Sequence, residues 1–322
     1  MKYSNKHNLP LSVAVWLATD WYDHQVEPNA ISVTTLMKST REVILTNRLG
    51  EGDAVQDVSA LLASRSGTAI HDALEKAWLN PNLKDVLISL GYPEKVHSRI
   101  HINPEAPTGE LDIYLEKRTN KRLGKWIISG QMDLCINGQL TDLKNTSTYT
   151  YVAKTNDDKY IEQLSIYAWL NPDIVLDEYG KILFIFKDWN KNYALAGKGY
   201  PTHPIIEEPF LLMEPADTER ILQVKLNRLD MYWNKPMHEI PECTPDELWQ
   251  APPTYKYYSK FGAIKASKVS TDFNEMQQHL RDKGVGFIKE VKAEPVKCRF
   301  CPAANTCDQA ARYVNDGILN LN

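Results

Sequence analysis

What the chain lacks narrows it first. No stretch approaches the ~18 or more consecutive apolar residues of a membrane-crossing helix, although 43% of its residues are hydrophobic. That apolar content therefore belongs to a core, and 322 residues suffice for one large domain or two intimate ones. There is no internal repeat, low-complexity tract or Gly/Ser linker, which argues against solenoids and tethered arrays. The opening Met1-Lys2-Tyr3-Ser4-Asn5 has no apolar signal-peptide core, so a cytoplasmic location is expected. Positive charge is not in excess: the net charge is −4. Any grip on a polyanion must come from local patches. Cysteine is scarce, five in the whole chain, so any clustering of cysteines carries information.

What is present begins with Gly130-Gln131-Met132-Asp133, followed by Asp142-Leu143-Lys144. Trp126 to Leu134 reads as a strand, Asn137-Gly138 as a two-residue hairpin turn, and Gln139 to Lys144 as the return strand. Asp142 and Lys144 stand two apart, so they project from one face. Carboxylates suit hard Mg²⁺ or Mn²⁺, and a nearby lysine can orient a water and offset developing negative charge. That is chemistry for cutting phosphodiesters, although Asp…Asp-x-Lys spacings also arise by chance.

Two helices flank the hairpin. Arg65 to Trp78 brings Ile70, Leu74, Ala77 and Trp78 onto a stripe expected to be buried, with His71 at its edge. A histidine there is usually a packed or surface residue with its hydrogen bond satisfied. Lys159 to Leu170, closed by Asn171-Pro172, sets Gln163 and Tyr167 one turn apart. That pair could pack at a wet edge, hold a phosphate or brace the strand carrying Asp142.

Three of the cysteines gather near the end as Cys298-x₂-Cys301-x₅-Cys307, and Cys243 lies upstream. Four thiolates fit tetrahedral Zn²⁺ or a [4Fe–4S] cluster, and the spacing does not decide between them. Nothing suggests the oxidising compartment that disulfides need. Cys135, two past Asp133, reads as a small buried hydrophobe. Between Tyr255 and Lys268 four lysines, Lys256, Lys260, Lys265 and Lys268, interleave with aromatics. Such a stretch can meet phosphates and stack on unpaired bases, or be a hairpin with a solvated edge.

Elsewhere, Leu9 to Ala18 reads as a helix on the core, and Ile31 to Leu36 with Lys38 and Arg41 as a lead-in and helix. Lys181 to Trp189 reads as a buried central strand. Asp217-Thr218-Glu219 opens a helix with Ile221, Leu222, Lys225, Leu226, Leu229 and Trp233 as its stripe. Composition shifts near Asn234-Lys235-Pro236. The expected division is a helical segment 1–60, a core 61–235 and a cysteine-bearing segment 236–322.

The ordered set of His71 in G-x-x-x-H, Asp133 in G-x-x-D, Asp142-Leu143-Lys144 and Gln163-x-x-x-Tyr167 resembles the RecB-type nucleases of the PD-(D/E)XK superfamily. That group includes the nuclease domains of end-resection helicases, the CRISPR-adaptation nucleases and many phage exonucleases. The likeness runs from Arg65 to Leu170, and the third motif has Asp where many relatives have Glu. The resemblance implies an α/β fold: a mixed central sheet flanked by helices, with extra N-terminal helices and a cysteine-stapled C-terminal segment. It implies Asp133, Asp142 and the Leu143 carbonyl as ligands of Mg²⁺ or Mn²⁺, with His71 as a further one. Lys144 would serve the attacking water, and Gln163 and Tyr167 would brace the site; Asp72 and Glu75 are less certain contributors. The cysteine triplet is similar to that of the CRISPR-adaptation and AddB-type nucleases. Their fourth cysteine precedes the nuclease motifs, whereas here Cys243 is the remaining candidate; an iron–sulfur cluster is favoured, with zinc the alternative.

The expectation is thus a metal-dependent deoxyribonuclease, an exonuclease acting on linear ends or single strands. A strand-annealing protein or helicase is the partner implied by resemblance, with no membrane and an open oligomeric state. A catalytically silent DNA-binding or scaffold protein, and a metal-binding interaction module, are the alternatives.

Overall fold

The computed structural model describes residues 2–19, 27, 29–50, 55–197 and 199–321. The chain forms two compact units, residues 3–37 with 57–228, and residues 1–2 and 38–56 with 229–322. The division therefore differs from the expected cuts at 60 and 235. Segment 38–56 groups with the C-terminal residues because Arg41 donates from Nη1 to the carbonyls of Ile240, at 2.6 Å, and Met237, at 3.3 Å. Residues 20–26, 28 and 51–54 of the expected N-terminal segment lie outside the described residues.

The larger unit is built on a mixed sheet. Its strands in chain order are β1 (Ala30–Ser32), β2 (Ile100–Ile102), β3 (Leu111–Leu123), β4 (Trp126–Ile136), β5 (Gln139–Thr146), β6 (Tyr179–Phe186) and β7 (Ile205–Leu211). Strands β2 to β7 lie side by side in that order, and β1 runs parallel to the start of β4. Pairs β3–β4, β4–β5 and β6–β7 are antiparallel, while β2–β3 and β5–β6 are parallel.

Local chemistry makes both hairpins. Asn137 at φ +49° and Gly138 at φ +86° are left-handed, as a type I′ turn between β4 and β5 requires. Gly124 at φ +62° opens the two-residue connection that sets Leu123 opposite Trp126. One edge of β4 then has two partners: Ile127 to Ser129 pair with β1, and Leu134 to Ile136 pair with β5. Gly130 to Asp133 lie where those partners diverge.

The apolar side chains Ile128, Met132, Leu140, Ile182 and Phe184 are each buried to 1% exposure or less, each contributing roughly 1.5–3 kcal/mol. Asp157–Leu170 forms the expected helix, starting two residues earlier, with Asp157 and Asp158 in its first turn, where carboxylates favour the helix dipole. It lies close on β4: a Cβ at Gly130 would stand 2.4 Å from Leu170 Cδ1 and 3.2 Å from Tyr167 Cδ1. Leu62–Trp78 forms the other expected helix, but its stripe is half-buried at best and Ala77 is exposed. The reason is its position, since His71 and Glu75 on that helix line an open cleft.

The smaller unit contains the helix Thr40–Asn47, the three-stranded sheet β8 (Thr254–Tyr258), β9 (Lys268–Ser270) and β10 (Phe287–Val291), and the helices Phe273–Lys283 and Asp308–Asn315. Strand β8 is central and antiparallel to both neighbours. Leu248, Cys298, Ala304, Ala310 and Leu319 form a core against which Cys243, Cys301 and Cys307 pack. Among the described residues no helix is long and apolar enough to cross a membrane.

Candidate active site and cysteine centre

The sheet of the larger unit brings β1, β3, β4 and β5 to one cleft of about 830 Å³. On β4, Asp133 turns one carboxylate oxygen to the backbone N–H of Leu143, which donates at 2.7 Å. The other oxygen stands 3.4 Å from Nδ1 of His71. Leu143 thus meets Asp133 through its amide, whereas the resemblance assigned a role to its carbonyl. Glu116 of β3 completes this group: its Oε1 lies 3.2 Å from the same His71 nitrogen. Ligand atoms of His71, Glu116 and Asp133 all fall within 4.8 Å of one another.

Register explains Glu116. In the β3–β4 ladder Leu115 faces Leu134 and Lys117 faces Met132, so Glu116 falls opposite Asp133. Its φ of +46° departs from extended backbone at that position. The carboxylate is then held from behind, with Gln131 Nε2 donating to Glu116 Oε2 at 3.0 Å and Arg118 donating to Gln131 Oε1 at 2.7 Å. Gln131 is the second residue of the Gly-Gln-Met-Asp run.

Beside that group lies a second, closed one. Lys144 Nζ stands 2.5 Å from Asp142 Oδ2 and donates to Gln163 Oε1 at 3.1 Å. The Gln163 amide donates to Asp142 Oδ1 at 3.2 Å and to the Tyr167 hydroxyl at 3.0 Å. One amide therefore fixes the carboxylate, the ammonium and the phenol together. Asp142 is 1% exposed, and its Oδ2 makes no hydrogen bond apart from that ion-pair approach. A buried carboxylate oxygen with spare lone pairs is what a divalent cation would take up.

Burial and close charges shift three groups of the site. Burial opposes a charged His71, yet the Glu116 hydrogen bond and the charges of Asp133, Glu116 and Asp142 outweigh it and raise its pKa. Burial and the neighbouring Asp142 charge push the Asp133 carboxyl well above the usual carboxylate range. For Lys144 burial pulls downward, but Asp142 and Asp133 hold its pKa above the ordinary lysine value. Asp133 thus holds its proton more tightly than an ordinary carboxyl, in a crowded acidic group whose donors suit Mg²⁺ or Mn²⁺.

In the smaller unit the four expected cysteines line one cavity of about 30 Å³. The thiols are unbridged. Burial pushes Cys243 up to about 11 and Cys298 up to about 12. Among the described residues no three of these thiols converge within 4.8 Å as a single-ion site does. Tetrahedral zinc needs four sulfurs at ~2.3 Å from one centre, whereas a polynuclear cluster sets them farther apart around its own atoms. The donor set is one that either tetrahedral zinc or an iron–sulfur cluster could take. Cys135 is fully buried, with its Sγ 3.7 Å from the Ile174 carbonyl, the packing role expected of it.

No family model matches the chain, and no curated protein does either. Among solved structures it is similar to the crystal structure of SSO0001, with a TM-score of 0.40 and 19% identity over 66% of this chain and 81% of that one.

The lysine stretch is arranged differently from an array of stacking rings. Lys256 lies within β8, Lys260 and Lys265 are exposed between β8 and β9, and Lys268 pairs with Glu275 at 2.7 Å. The tyrosines are taken up in packing: Tyr255 meets Phe273, Tyr257 is buried with its hydroxyl on the Val285 carbonyl, and Tyr258 stacks on Phe287. Phe261, at 95% exposure, is the ring of this stretch left open to solvent.

Proposed function

We propose that the chain is a metal-dependent deoxyribonuclease of the RecB type, an exonuclease with a PD-(D/E)XK core. The observation that carries this reading is the circuit in which Gln163 ties Asp142, Lys144 and Tyr167 beside the His71, Glu116 and Asp133 group. The order of elements supports it as well. The His71 helix, antiparallel β3, β4 and β5, the Gln163 helix and β6, parallel to β5, come in that chain order with short elements between, and each but β3 and β6 carries a motif residue.

Asp133, Asp142, His71 and Glu116 would hold Mg²⁺ or Mn²⁺, with the Leu143 carbonyl a further donor. When bound, the cation would polarise the scissile phosphate and lower the pKa of an attacking water. Lys144 acts as a cation, since its carboxylate neighbours keep its proton in place: it orients the water and offsets charge building on the phosphate. Gln163 keeps the Lys144 ammonium aimed, and Tyr167 keeps Gln163 from rotating. Hydroxyls of Ser32, Thr34, Ser64 and Thr68 line the same cleft and would donate to backbone phosphates of a DNA strand. The cysteine cavity would carry a [4Fe–4S] cluster on Cys243, Cys298, Cys301 and Cys307. Lys256, Lys260 and Lys265 would add phosphate contacts, and a helicase or strand-annealing protein would be the partner.

The test is digestion of end-labelled linear DNA against a closed circle, with Mn²⁺ or Mg²⁺. Loss of linear DNA by the wild type, slowed about 10²–10³-fold or more in Asp142→Ala and Lys144→Ala, is the expected result. Undiminished cutting by either variant discards the assignment, and binding without cleavage moves the silent scaffold forward.

A further inference from the structure

The cysteine cavity is walled by more than cysteine. Ser39, Arg41, Glu42 and Gln309 also line it, and all four are buried, to 8%, 3%, 7% and 3% exposure. Burying this much polarity costs stability unless each group has a partner. Gln309 has both of its own, accepting from the Cys243 N–H at 2.8 Å and donating to the Cys243 carbonyl at 2.9 Å. It fixes that cysteine's backbone. Arg41 and Ser39 go further and reach sulfur.

Arg41 Nη1 donates to the carbonyls of Ile240 and Met237, and Nη2 pairs with Asp308. Those contacts would be enough for a staple. Its Nε–H is aimed elsewhere, at Cys307 Sγ, 3.4 Å away. Ser39 Oγ accepts the Glu42 N–H at 3.1 Å as cap of the helix Thr40–Asn47, which leaves its own proton for Cys243 Sγ at 3.2 Å. A metal-ligating sulfur carries no proton, so at both sulfurs the serine and arginine must be the donors.

We propose that Ser39 and Arg41 are outer partners of the cysteine centre, donating to Cys243 and Cys307 so as to retain an anionic cluster and raise its reduction potential. The inference rests on the iron–sulfur reading of that cavity. Four thiolates make such a centre negative, and hydrogen bonds to the sulfurs favour the reduced, more negative state. These donors come from chain that precedes the His71 helix. Ser39 and Arg41 are therefore part of the centre without supplying a ligand.

The experiment uses the full chain purified without oxygen, as wild type, Ser39→Ala and Arg41→Lys, with folding checked by far-UV circular dichroism. Arg41→Lys keeps the charge and loses the directed Nε–H; Ser39→Ala loses the hydroxyl, its helix cap included, and guards against an arginine variant that fails to fold. Iron, acid-labile sulfide and zinc are assayed, iron release to a chelator is timed, and the cluster is titrated with reductant under EPR. The wild type is expected to hold iron and sulfide. Each variant should release iron about 10–100-fold faster, and its reduced-to-oxidised ratio at a fixed potential should fall about tenfold, or 59 mV for one electron. A folded wild type with iron, and variants matching it in release and potential, overturn the role of Ser39 and Arg41 while leaving the cluster. Zinc in place of iron, or neither metal, overturns this inference together with the iron–sulfur reading.

Discussion

Glu116 carries a backbone conformation that an ordinary strand residue avoids, φ +46° within the thirteen residues of β3. A left-handed β-substituted residue costs roughly 1–2 kcal/mol, and this one aims a carboxylate at His71. The chelator-treated Glu116→Gly protein should therefore resist urea better than Glu116→Ala by about 1 kcal/mol. Glu116→Gln should bind Mn²⁺ about 10–100-fold more weakly with the fold intact, read by calorimetry or Mn²⁺ EPR. Binding at wild-type strength would remove Glu116 from the ligand set. Proton linkage follows from the same residues. The metal-free site holds protons on His71 and Asp133 above their usual pKa ranges, and a cation must displace them. Mn²⁺ affinity should accordingly rise with pH through neutrality, by at most about tenfold per unit for each proton displaced, with acid released into a weak buffer. Affinity that is flat from pH 6 to 8 would contradict the raised values. Glu116 was hidden in the sequence because no motif points to it. Only the register set by Gly124 and Lys125 brings it across from Asp133, a pairing with no local signal in the sequence.

The elements that could be read were those whose cause is local. Asn137-Gly138 fixes the hairpin by its own φ preferences, the Asp-x-Lys spacing fixes a shared face, and Gln163 and Tyr167 meet because they are one helical turn apart. Gly138→Ala should then destabilise the larger unit by at least ~1 kcal/mol. The new Cβ would meet Leu176 at 3.0 Å as well as the strained φ. Equal urea midpoints for the two proteins would argue that the turn is not under that constraint. Non-local matters were less legible. The parallel pairing of β5 with β6 and the split edge of β4 depend on residues far apart in sequence. The tyrosines near Lys256 looked free for bases because nothing local announced Phe273 and Phe287 as their partners.

Across the whole molecule, two compact units mean that the proposed metal centres, one in each, would support different parts of the chain. Stripping iron should expose amides of residues 38–56 and 229–322 to hydrogen exchange, while those of Trp126–Ile136 stay protected. Loss of protection in both units together would show that the cysteine centre supports more than its own core. The order of synthesis adds a condition of another kind. Arg41 precedes Cys307 by 266 residues, which at ~5–20 residues per second is roughly 15–50 s of translation. Throughout that interval the arginine lacks its Cys307 partner, so the proposed cluster would be inserted only after Cys307 has been made. A ribosome that stalls before Cys307 would leave residues 38–56 as an unfinished half of a site, a natural target for proteolytic quality control.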